Sequence, residues 1–125
     1  MKRKTITYWT ATAFVTVILG VSGGMAILHA GPMMTALAHL GYPAYFSNIL
    51  GVGKIAGLFV FLAPGMPRFK EWAYTGFSIT ILSACYSHLS SGDGLLALEP
   101  LVTFAALVVS YVSRPPDRKF MPAGA

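Results

Sequence analysis

The sequence predicts an all-α chain: a four-transmembrane-helix antiparallel bundle with a short interfacial helix between helices 1 and 2, both termini cytoplasmic. Three observations predict it. Of the 125 residues, 55% are hydrophobic and only 10% charged, with a mean hydropathy of +0.66; an average soluble domain carries about 25% charged residues. Four apolar segments each approach the ~20 helical residues that cross a ~30 Å hydrocarbon core. The basic residues, all but one, gather on one side of those segments. A chain of this length and composition is one membrane domain, residues 1–125.

The first span is expected over 6–28, after Met1-Lys2-Arg3-Lys4. That start resembles a secretory signal, but the apolar run exceeds a signal core and no small-x-small cleavage site follows. It reads as a retained anchor. The interfacial helix is expected over 32–41, opened by Pro32 and closed by Gly41-Tyr42-Pro43. The second span, about 44–62, ends at Pro64-Gly65. The third and fourth are expected over 72–90 and 95–112. Short connections between them favour an up-down arrangement.

Orientation follows from Lys and Arg. Lys2, Arg3 and Lys4 precede the first span, Arg68 and Lys70 join the second to the third, and Arg114, Arg118 and Lys119 follow the fourth. Residues 29–43 and 90–94 carry none. The positive-inside rule therefore puts both termini in the cytoplasm of a multi-pass inner-membrane (plasma-membrane) protein. The same placement, at span ends and not in a stripe, argues against nucleic acid as partner. Trp9, Trp72, Tyr74 and Tyr111 fall where interfacial aromatic belts belong. Cys85 is the single cysteine, which excludes an intrachain disulfide, a CxxC motif and covalent c-type haem.

Lys54 is the one basic residue that topology does not explain. It stands in the otherwise uncharged run from Leu50 to Leu62, where a lysine costs roughly 2.5–3.5 kcal/mol. Helical rise places it roughly 15 Å below the outer boundary and Glu99 roughly 6 Å below it. His88 falls at a similar level. Lys54, Glu99 and His88 are therefore the candidate catalytic or proton-handling group, with Tyr86, Asp93, Gly51 and Gly57 as candidate ligand contacts. Gly51 and Gly57, three residues either side of the lysine, are expected to leave room beside it. Gly20/Gly24 and Gly53/Gly57 have the spacing of close helix contacts. Glu99, Thr103, Ala106 and Ser110 form an inward stripe, and Pro100 is expected to bend the outer end of the fourth span. Each of these has a plainer reading. Lys54 with Glu99 also suits a structural ion pair, His88 a helix end, Asp93 a turn, and Tyr86 packing. His29 and His39 are expected at the interface.

Several stretches together resemble a known family: His39-Leu40-Gly41-Tyr42-Pro43, Leu50-Gly51-Val52-Gly53-Lys54, Pro67 to Phe77, and Tyr86-Ser87-His88 followed by Gly92-Asp93-Gly94. From about Thr5 to Val112 the chain is similar to the DoxX-like small membrane proteins. The resemblance implies a four-helix membrane fold. The family takes its name from a subunit associated with archaeal terminal quinol oxidase and thiosulfate:quinone oxidoreduction, which directs attention to a quinone. Three functions are then in view. One is a polar pocket in the bilayer binding a small lipophilic molecule such as a quinone, with proton transfer or redox chemistry on it. The pocket protein would stand alone or as a homo-oligomer; the other readings are a non-catalytic subunit or assembly factor bound to other membrane subunits, and a membrane-embedded hydrolase or isomerase. No set of inward histidines suits a haem, and no metal is expected.

Overall fold

The computed structural model describes residues 2–116; Arg118 and Lys119, on which part of the charge count rests, lie outside them. The described residues form five α-helices and no strand: α1 (Lys2–Ile27), α2 (Gly31–His39), α3 (Phe46–Leu62), α4 (Pro67–Ser90) and α5 (Leu98–Val112).

All five expected helices are present, with shifted ends. α1 starts four residues early because Lys and Arg are good helix formers and charge alone does not stop a helix; Thr7 Oγ1 already donates back to Arg3 O at 2.8 Å. α4 starts five residues early. Gly65 and Met66, both left-handed (φ 73° and 53°), reverse the chain, and Pro67 at the first helical position fits a turn that needs no N–H there. Lys70 and Glu71, expected in a loop, are thus helical. α5 starts three residues late, after a turn over 94–97. Pro100 is its third residue, where amide hydrogens have no helical partner, so its missing N–H breaks no helical bond and the expected cause of a bend disappears.

α1 packs on α3 and α5, and α4 packs on the same two helices, so the four long helices close into a ring. Neighbours run antiparallel. Gly20 meets Leu58 near one end of the α1–α3 pair while Ser47 Oγ donates to Ala26 O near the other. Phe61 faces Tyr74 and Gly57 faces Phe77 across α3 and α4. Glu71 reaches Arg114 and Tyr74 reaches Ser110 across α4 and the end of α5. α2 lies against α1 at the end opposite Arg114. The core joins Val15, Leu19, Leu58, Phe61, Tyr74, Phe77, Ile81 and Leu107, with Phe61 edge-on to Tyr74 and Phe77 at 5.1 and 5.5 Å.

α1 and α3 cross closely at Gly23 and Gly51. A Cβ on Gly51 would stand 2.9 Å from Ile27 N and 3.0 Å from Gly23 O. Gly24 and Gly53, expected at contacts, face open space, and Gly20 makes only an ordinary 3.6 Å approach to Leu58. The crossing uses one glycine from each helix, and neither belongs to the expected Gly-x-x-x-Gly pairs.

The surface is far more apolar than that of a water-soluble protein, and several small polar side chains are buried with the apolar core. Phe59, Tyr86 and Trp72 are 73%, 72% and 63% exposed, whereas Thr12, Ser47 and Ser110 are fully buried. An apolar exterior of this extent needs a partner or a bilayer to cover it. By length and composition α1 (Arg3–Ile27) can cross a membrane; α3 and α5 are apolar but shorter.

Candidate functional site

Lys54 sits near the middle of α3. Its stem passes α1 at Gly23, where an added Cβ would lie 3.0 Å from Lys54 Cβ, and its ammonium donates to Ser22 Oγ. A side chain at residue 23 would close that passage. Ser22 and Gly23 are therefore the lysine's immediate neighbours, and both were missed from sequence: Gly20 and Gly24 have the conspicuous spacing, whereas a serine beside a glycine carries no signal until helix rotation is known.

Glu99 acts on Lys54 through space but does not reach it within ion-pair distance. The reason is the shifted start of α5. Glu99 falls in the first turn, exposed, where its charge complements the helix N-terminus, and it accepts a 3.2 Å bond from Thr103 Oγ1, which also donates to Glu99 O at 3.0 Å. Of the expected stripe, Thr103 and Ser110 are buried, Ala106 is half-buried and Glu99 is not.

His88 joins neither residue. Its Nδ1 lies 3.2 Å from Asp93 Oδ2, and His39 Nε2 lies 2.8 Å from the same oxygen. Asp93 is thus a shared acceptor tying α2 to the end of α4, supported by a hydrogen bond between the Tyr42 and Ser87 hydroxyls. Those bonds, first from His39 and then from His88, hold the Asp93 carboxyl below the usual carboxylate value. On the other flank of α2, His29 Nε2 donates to Asn48 Oδ1 at 2.6 Å. Tyr86 points outward. Gly51 and Gly57 do not open a space: α1 fills the first, and the Phe77 ring would stand 2.8 Å from a Cβ on the second. Among the described residues no group of three His, Cys, Asp or Glu side chains could hold a metal ion.

The Arg114 end holds a second polar cluster. Ser110 Oγ lies 2.7 Å from both Thr12 Oγ1 and Tyr74 OH, joining α1, α4 and α5 through buried hydroxyls. Arg114 Nη1 pairs with Glu71 Oε1 at 2.7 Å, Tyr111 OH donates to Glu71 Oε2 at 2.9 Å, and the guanidinium lies 3.7 Å from the Tyr111 ring centre. Lys70, 1% exposed, donates to Val60 O at 2.7 Å and to Ala63 O, capping the C-terminus of α3. The signal for these residues was present as Thr12 and Ser110 inside apolar runs, but Lys70 and Arg114 read as flanking charge. Two grooves mark the surface. One of about 370 Å³, lined by Ile55, Leu58, Phe59, Leu62 and Ala63, is apolar; the other, about 240 Å³, lies between α4 and α5 beside Glu71.

An all-helical fold with an apolar exterior and one helix long enough to cross a bilayer suits a membrane protein. A family model described as DoxX-like family matches residues 10–110, and the chain belongs to that family. No curated protein and no solved structure matches it.

Proposed function

We propose that α1, α3, α4 and α5 span an inner membrane with both termini cytoplasmic, and that Lys54 binds the polar head of a small lipophilic molecule with a carbonyl acceptor, such as a quinone. Support for the orientation is that Arg3, Lys4, Arg68, Lys70 and Arg114 share one end of the bundle, while the residues connecting helices at the α2 end carry no Lys or Arg.

One observation carries the binding reading. An ammonium has three N–H donors, and the only hydrogen bond of Lys54 among the described residues goes to Ser22. Two donors remain inside an apolar helix run, and an apolar environment strengthens a bond to a carbonyl oxygen. Glu99, near but unpaired, offsets the charge without occupying the donors. His88 and Asp93 stand toward the α2 end, bonded to each other and to His39 and not to Lys54. In this reading Tyr86, Gly51 and Gly57 shape the helices and do not touch the ligand.

The test is binding of a short-tailed benzoquinone to the purified protein in nanodiscs. Lys54→Met should weaken binding at least about tenfold, the effect of losing a charge-assisted bond. Ser22→Ala, which frees the third donor, should retain it. Unchanged binding by folded Lys54→Met protein would overturn the reading.

A further inference from the structure

The groove between α4 and α5 at the Arg114 end interrupts an apolar face with polar atoms. Glu71, Thr75, Ser78 and Tyr111 supply them, beside Leu107 and Val108. The hydrogens of these groups are mostly spent. Tyr111 OH donates to Glu71 Oε2, and Thr75 Oγ1 donates to Glu71 O at 2.9 Å. The fourth hydroxyl of the lining, Tyr74, is engaged with Ser110. What these groups can still offer a ligand is acceptor capacity: lone pairs on Thr75 Oγ1 and Tyr111 Oη and the remaining lone pairs of the Glu71 carboxylate, which also accepts from Arg114 Nη1. Ser78 makes no hydrogen bond among the described residues and holds the one uncommitted proton.

A site with several acceptors and one donor fits a ligand group that donates once and accepts once or twice. A hydroxyl does so; an ether, ester or ketone only accepts. At about 240 Å³ the groove is below the ~300–1,000 Å³ of a site enclosing a whole drug-sized ligand, so it takes a head group and leaves the tail along the apolar helix faces. We propose that this groove binds the hydroxyl head of a long-chain alcohol-type lipid. The hydroxyl donates to the acceptor set at Glu71, Thr75 and Tyr111 and accepts from Ser78, while the first methylenes lie on Leu107 and Val108. The assignment is independent of Lys54, which offers donors at the other half of the bundle.

The test is photo-cross-linking in nanodiscs with a diazirine-bearing hexadecanol, mapped by mass spectrometry, beside the same probe as its methyl ether. The alcohol should label segments 75–78 and 107–111, and the ether should label them about five- to tenfold less, the effect of one hydrogen bond. Val108→Trp, which fills the groove without touching its polar groups, should remove the labelling. Thr75→Val should reduce it, and Lys54→Met should leave it unchanged. Equal labelling by alcohol and ether, or full labelling of folded Val108→Trp protein, would overturn the assignment.

Discussion

His39 and Asp93 are 54 positions apart and meet side chain to side chain, with His39 Nε2 at 3.0 and 2.8 Å from the two carboxylate oxygens. The contact carries α2 from its place on α1 across to the connection between α4 and α5. The carboxyl of Asp93 is depressed by these bonds, so its share of stability is present above the ordinary value of 3.8 and is lost as pH falls through the lower folded value. The protection factors of residues 31–39, exchange corrected for its pH-dependent intrinsic rate, should thus fall as pH drops through that range. Asp93→Asn should make exchange faster at neutral pH and remove the acid step; an unchanged step would assign it to another group.

Lys70 offers a test of inward charge. Replacing it by Met leaves the carbonyls of Val60 and Ala63 without their ammonium, at a cost of about 1–3 kcal/mol. Thermal unfolding in detergent should show the loss for Lys70→Met and almost none for Lys4→Ala, whose residue is exposed.

The glycines of α3 should respond in opposite directions. Gly51→Ala drives a methyl into α1 at Ile27 and Gly23 and should destabilise by about 1–3 kcal/mol. Gly53→Ala meets nothing within 4 Å and should stabilise by up to about 1 kcal/mol through helix propensity. Equal effects in a denaturation series would contradict the crossing at Gly23 and Gly51.

Buried hydroxyls on α1 and α5 make a second matched pair. Ser110→Ala strips partners from both Thr12 and Tyr74 and should cost about 1–3 kcal/mol. Thr16 Oγ1 is buried without a hydrogen-bond partner, so Thr16→Val should be neutral or stabilising in the same assay.

Orientation is open to chemical labelling. In a Cys85→Ser background, an impermeant thiol reagent added outside cells should label Gly41→Cys and Gly92→Cys but not Gly65→Cys. The reverse pattern would invert the topology.

Hydropathy and turn residues were enough to place five helices, because spans and breakers are local properties. Pro67 misled only in being read as loop, since a proline fits both a loop and the first turn of a helix. Lys54 was visible for the same local reason, as one charge in an apolar run. Its partners were not. Whether Lys54 meets Ser22 or Glu99 depends on the rotation of α1 and on three residues' difference in where α5 begins. Lys70 shows the same limit from the other side: its sequence surroundings are those of a flanking charge, and only the position of the end of α3 turns it inward. The pairing of His39 with Asp93 needs α2 to cross the bundle, which no periodicity reports.

The contact of α1 with α5 completes the ring of four long helices. Among the described residues each of them already packs on two neighbours, so none of the four is left with a single partner. Outward faces such as those bearing Phe59, Trp72 or Tyr86 are the apolar surface left for a second copy or another subunit to use. Assembly and internal stability are in that sense separable: changes on those faces can alter association while the polar interior stays as it is.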